Sequence, residues 1–194
     1  MAKIKYTKNE LKKQKDGLKR YSRYLPMLQL KKQQLQMEMR RVTALIETRR
    51  TAREHLLESI QEWLAVLAED VGLADLVKVE HLDTEIGNVA GVEIPIFKSL
   101  TFVPIEYDIF AMPLWVDAAI DALKQLLKLD AEVSVLTSQH SRLRDELRTT
   151  SQRVNLFEKV KIPETGENIR TIQIYLGDEQ TAAVVRGKIA KARL

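Results

Sequence analysis

Three histidines have the widest chemical repertoire near neutral pH: His55, His81 and His140 could each move a proton or ligate a metal. They are far apart along the chain, and none has a partner at the spacing of a known motif. The chain contains no P-loop, no GxGxxG, no HExxH and no GxSxG. It has no cysteine, which excludes disulfides and thiolate metal sites and is compatible with a reducing compartment. Carboxylates crowd the middle of the chain, but none stands in a constrained pair, so they read as solvated surface charge. No catalytic, cofactor-binding or metal-ligating set is assigned, and the chain is not expected to be an enzyme.

The other chemistry the residues could do is electrostatic. Residues 1–53 hold 16 Lys and Arg against 4 Asp and Glu, residues 54–135 hold 4 against 16, and residues 136–194 hold 11 against 7. Basic ends flank an acidic middle, a polarised field that steers partners of opposite sign. The opening stretch "TKNELKKQKDGLKRYSRYLPMLQLKKQQLQ" could grip nucleic-acid phosphates. Sequence-independent binding of that kind usually adds aromatic stacking on a groove. Here Tyr21 falls in an apolar seam, Tyr24 lies beside it, and no nucleic-acid module is present. The basic run reads as a solvated or protein-facing helix surface, and no nucleic-acid partner is expected.

The elements that position these residues are long. Neither glycine nor proline occurs from Leu28 to Val71 or from Leu114 to Lys161. In the first half, Leu11, Leu18, Leu25, Lys32, Met39, Ile46, Arg53, Ile60 and Leu67 form an a series. Gln14, Tyr21, Leu28, Leu35, Val42, Arg49, Leu56 and Trp63 form the d series. An unbroken 3.5-residue period predicts a left-handed coiled coil. At ~1.5 Å per residue it would reach about 85 Å. The second half repeats the pattern through Trp115, Ala119, Ala122, Leu126, Leu129, Val133, Leu136, His140, Leu143, Leu147, Thr150, Val154 and Phe157. His140 reads as a polar layer of this seam, able to fix register. A weaker stripe continues through Ile169, Ile172 and Leu176, and Pro163 should kink the helix or end it locally.

Between Gly72 and Pro113 the texture changes to β-branched residues and glycines. It predicts a β-hairpin with strands near Val77–Ile86 and Val92–Val103 and a turn near Gly87–Gly91. Pro95 marks an edge or a bulge. The expected fold is mainly α: a long antiparallel two-helix left-handed coiled coil with a small α+β insert containing a β-hairpin. Residues 1–71 and 114–194 supply the two helices and residues 72–113 the insert. Pairing Leu67 with Val116 brings Arg53 near Asp130 as a cross-helix ion pair and Lys32 near Ser151. Lys32, Arg49 and Arg53 interrupt the first seam; either their stems snorkel or a third partner docks there. MAKIKYTKNE has no apolar core of a secretory signal, and the apolar stretch Leu100–Ile120 is broken by Glu106, Asp108, Pro113 and Asp117. A soluble protein without direct membrane insertion is expected.

Three blocks carry a family resemblance. The opening helix, with Lys31 and Lys32 as a basic pair, is similar to the first helix of the D subunit of V-type and A-type rotary ATPases (ATP synthases). Gln33, where that family often has Asp, and Pro26 depart from it. The block "QRVNLFEKVKIPETGENIRTIQIYLGDE" resembles the family's C-terminal pattern through Arg153, Val154, Asn155, Ile162, Pro163, Ile169, Arg170, Ile172, Leu176, Asp178 and Glu179, departing at Gly166 and after Glu179. "NVAGVEIPIF" resembles the family's hairpin. The resemblance implies a non-catalytic rotor shaft without cofactors. It would sit inside a ring of A and B subunits, bind the small F subunit along its side, and meet the membrane-side funnel subunit (C or d). That would place it on the cytoplasmic side, peripheral to the membrane. Lys12, Lys19, Arg20, Arg23, Arg170 and Arg186 would then face the ring. A coiled-coil adaptor or a nucleic-acid-binding arm are the alternatives; neither explains the C-terminal block.

Overall fold

The computed structural model describes residues 4–61, 76–105 and 112–192. Its elements are α1 (Lys8–Gln61), β1 (Val79–Val89), β2 (Val92–Phe102), α2 (Val116–Leu156), a π-helical turn (Phe157–Lys161) and α3 (Ile162–Ala192). The chain divides into two compact units, one of residues 34–147 and one of residues 1–33 with 148–194. The Gly72 boundary of the expected insert, and Trp63 and Leu67 of the expected seam, lie outside the described residues.

α1 starts at a capping sequence. Thr7 Oγ1 accepts the Glu10 backbone N–H at 3.3 Å and the Thr7 carbonyl accepts the Leu11 N–H at 3.0 Å, satisfying donors that a helix start leaves open. Every described residue of the a and d series is buried or half-buried except Arg49. Pro26 does not interrupt α1. It deprives the Ser22 carbonyl of its donor, but both residues are exposed, so water can serve that oxygen.

In the unit of residues 34–147, helices and hairpin share one core. Leu35, Val42 and Ile46 from α1, Leu143 from α2 and Ile94 from β2 form its buried cluster. The strands are longer towards the turn than the alternation suggests. β1 runs on to Val89, and Val89 pairs with Val92 across Ala90 and Gly91. Both turn residues have positive φ, 50° and 81°, the two-residue geometry whose twist matches paired strands. Asn88 Oδ1 accepts the Gly91 N–H at 3.0 Å. Gly87 is therefore a strand residue, not a turn residue. A Cβ there would stand 2.5 Å from Ile96 Cδ1, so its missing side chain is what lets Ile96 fold across the strand.

Pro95 sits opposite Ile86. Its carbonyl accepts a hydrogen bond from Gln139 Nε2 of α2, and the Glu93 carbonyl accepts one from Arg142 Nη1 at 3.2 Å. Backbone N–H and C=O of one strand residue face the same side. The nitrogen of Pro95 therefore lies on the edge away from β1, where no ladder donor is needed. Two α2 side chains three residues apart thus occupy the outer edge of β2, a common way of protecting an exposed strand.

In the unit of residues 1–33 and 148–192, the Tyr21 and Phe157 rings meet at 5.2 Å and those of Tyr6 and Tyr175 stack at 4.9 Å. Rising numbers on one segment meet falling numbers on the other, so the segments are antiparallel. Val154 and Ile172 are buried, as are Thr150 and Thr165. The sequence leaves Pro163 either to kink the helix or to end it locally, and the helix does not end there. The chain passes through the π turn, in which Ile162 N–H donates to the Phe157 carbonyl, and resumes as α3.

Two stability changes follow. Leu143, with no exposed surface, should cost about 2–5 kcal/mol when changed to Ala, seen as a lower urea midpoint at unchanged m-value. Ala90→Asn should stabilise by about 1 kcal/mol, because Asn tolerates the left-handed backbone that Ala resists; an unchanged midpoint would contradict this.

Candidate functional site

The histidines do not converge. His55 lies exposed on α1 with Nδ1 3.4 Å from Glu58 Oε2, and His81 lies exposed on β1 with Nε2 3.2 Å from Asp83 Oδ1. His140 is half-buried in the α2 seam, where the sequence places it. Its neighbour Gln139, not His140, is the buried polar residue, and it serves the hairpin edge. Among the described residues no group of three or more His, Asp or Glu side chains could hold a metal ion. Among the described residues, none of these histidine arrangements pairs a nucleophile with a base.

Two of the three charged residues that interrupt the first seam are occupied within the unit of residues 34–147. Arg53 Nε meets Asp130 Oδ1, and Arg49 Nε meets Glu132 Oε2 at 2.6 Å. The rungs run in opposite directions on α1 and α2, as antiparallel helices require. Both guanidinium groups are thus engaged by α2 carboxylates, and their stems remain beside the seam. Lys32, on α1, is half-buried.

The remaining candidate residues are exposed side chains. In the unit of residues 1–33 and 148–192, Lys12, Lys19, Arg20 and Arg23 of α1 and Arg170 and Arg186 of α3 are all exposed. The residues that carry the family resemblance divide by burial. Val154 is buried and Ile169 and Leu176 are half-buried, so these maintain the seam. Arg153, Asn155, Pro163, Arg170 and Glu179 are exposed, and Lys31 is half-buried. A helix pair does not need the exposed set for its own packing.

The exterior is less uniformly charged than the sequence suggests. Tyr24, Met27 and Leu30 of α1 and Ile174, Tyr175, Val184, Val185 and Ile189 of α3 are exposed large apolar residues. From Gly177 to Ala192 every residue of α3 is exposed. Tyr24, Met27, Leu30 and Ile174 fall outside the seam stripes, where a helical residue points away from the seam; Tyr175 meets Tyr6, and Val184, Val185 and Ile189 lie beyond Leu176, the last stripe residue. Among the described residues, no helix is long and apolar enough to cross a membrane.

Paired long helices with a hairpin insert and a mixed charged and apolar exterior define a mainly helical protein. A family model for the D subunit of ATP synthase matches residues 10–192. The chain belongs to this family of ATP synthase D subunits. It is similar to the V-type ATP synthase D subunit of Borreliella burgdorferi, at 48% identity over 100% of this chain and 96% of the relative. It is also similar to those of Chlamydia abortus (33%) and Chlamydia caviae (32%), each over 98% of this chain and 93% of the relative.

The Arg53–Asp130 pair is part-exposed on both sides, with 36% and 45% of the side-chain surface accessible. A double-mutant cycle with Arg53→Ala and Asp130→Ala should give a coupling of about 0.2–1 kcal/mol, shrinking as salt is raised. Zero coupling at low salt would show that the contact is energetically silent.

Proposed function

We propose that this chain is the non-catalytic central shaft of a V-type or A-type ATPase, carrying torque between nucleotide chemistry in a ring of A and B subunits and ion movement in the membrane sector. The observation that carries this reading is the match to the D-subunit model over nearly the whole chain, seam, hairpin and C-terminal block together. A coiled-coil adaptor would account for the seam alone and a nucleic-acid arm for the basic run alone.

The physical chemistry fits a shaft. A seam of interlocked apolar residues resists bending and twisting because any slip exposes buried surface. Torque passes at the exterior through contacts that must form and release at each ring position. Exposed Lys and Arg suit such contacts, because their interactions with carboxylates are individually weak and screened. Lys12, Lys19, Arg20, Arg23, Arg170 and Arg186 are the residues assigned to the ring, together with the exposed apolar residues of α3. The acidic middle of the chain faces the F subunit and the membrane-side funnel subunit (C or d). The assembly lies on the cytoplasmic face, peripheral to the membrane, and this chain requires neither cofactor nor metal.

Co-expression with the A, B and F subunits, followed by size-exclusion chromatography and ATPase assay, tests the reading. The chain should co-elute with the ring and change its sustained turnover. A ring that assembles and turns over identically without retaining the chain would overturn it. Changing Lys12, Lys19, Arg20 and Arg23 together to Gln should weaken retention at low salt while leaving the thermal midpoint of the isolated chain within a few degrees. Wild-type retention would remove these residues from the interface.

A further inference from the structure

The π turn coincides with a step in the seam. The stripe before it alternates spacings of four and three, through Leu143, Leu147, Thr150, Val154 and Phe157. Continued unchanged, it would reach positions 161, 164, 168, 171 and 175. The fully buried residues are instead Thr165 and Ile172, each one position later than the alternation places them, with Lys161, Ile162, Gly166, Asn168, Ile169 and Leu176 half-buried around them. Both buried residues lag the alternation by one, so the segment holds one residue more than that alternation uses. An i→i+5 turn carries one residue more than an α turn, and the structure places such a turn at Phe157–Lys161.

The same turn is weakly held. Ile162 N–H is given to the Phe157 carbonyl, and Pro163 has no N–H to offer, so the Glu158 carbonyl receives neither main-chain donor. No residue between Val154 and Thr165 is buried. A cavity of about 880 Å³ borders Lys159, Val160 and Pro163 on this side and Lys13 and Gln14 on α1. The ends are pinned: Phe157 packs on Tyr21, and buried Thr165 donates its hydroxyl to the Lys161 carbonyl.

We propose that Phe157–Lys161 is a yielding turn built into the C-terminal helix. It stores the surplus residue, and it lets the helix bend and twist locally while the seam on either side keeps its grip. The inference rests on this chain alone and not on the assembly proposed above. Because the surplus is one residue, excising Val160 brings Thr165, Ile169, Ile172 and Leu176 into the unbroken alternation and should leave a continuous α-helix.

Hydrogen–deuterium exchange on the full chain tests this. The amides of Val160, Lys161 and Ile162 should exchange at least about tenfold faster than those of Thr150–Leu156 and Ile169–Leu176, as expected of a locally opening segment. In the chain lacking Val160 the difference should vanish, with the thermal midpoint unchanged or raised. In Pro163→Ala the fast exchange should persist, since the surplus residue remains. Uniform protection in the parent chain would overturn the proposal. So would a Val160-deleted chain that fails to fold or keeps the fast amides, or a Pro163→Ala change that by itself abolishes them.

Discussion

Phase between apolar stripes on sequentially distant helices is the constraint on which the other features depend. A residue displaced by one position on an α-helix turns by about 100°, since a turn takes ~3.6 residues. A seam residue so displaced leaves the seam. Within residues 34–147, the stripe positions of Leu35, Val42 and Leu143 fix where Arg49 and Arg53 can meet Glu132 and Asp130. Those pairs are partly exposed and contribute little by themselves. They report the register that the apolar residues set.

The hairpin depends on the same register. Ile94 inserts among residues of both helices, and Gln139 and Arg142 reach the outer edge of β2 from positions four residues and one residue before Leu143. A two-stranded sheet is marginal in water by itself. Here Val89, Ala90, Val92 and Ile94 at the turn end pack with residues of both helices and two side chains occupy one edge, so that end of the sheet is stabilised as part of the helical core. Pro95 suits this arrangement: it has no donor to lose on an edge where its carbonyl is already taken.

What can be read from the sequence is periodic. The seam positions from Leu11 to Ile60, the second stripe as far as Phe157 and the presence of a hairpin follow from repeats of 3.5 and 2 that many residues reinforce. What escapes is local and set by single atoms. The turn at Ala90–Gly91 has no Asn-Gly signature, and Gly87 shifts the expected turn by mimicking a turn residue. Pro163 reads as a kink or a stop, because a proline deletes one donor and sequence alone does not show that a π turn can absorb the loss. Met27, Leu30 and Val185 are exposed although no charged residue stands within two positions of Met27 and only Arg186 stands beside Val185. The direction of a side chain on a helix outside its seam is fixed by geometry, so the exposure of Met27 and Leu30 is implicit in the stripe itself, whereas Val185 lies beyond its last residue, Leu176.

The mixed exterior bears on how a shaft of the proposed kind could transmit force without sticking. A uniformly apolar face would bury its area in one orientation, and about 25 cal/mol per Å² would then oppose every departure from it. A uniformly charged face would bind too weakly, in solvent, to push against. On α3 the apolar Val184, Val185 and Ile189 alternate with Arg186, Lys188 and Lys191 within two turns. Rotation would therefore exchange small apolar contacts and screened charge contacts nearly in step, and the sum would vary less than either part. The seam must be the stiffer partner in that exchange, since its buried residues are held by packing that is lost all at once when phase is broken. A stiff interior and a graded exterior are opposite demands on one helix, and α3 separates them along its length: its buried and half-buried residues lie between Ile162 and Leu176, and every residue from Gly177 to Ala192 is exposed.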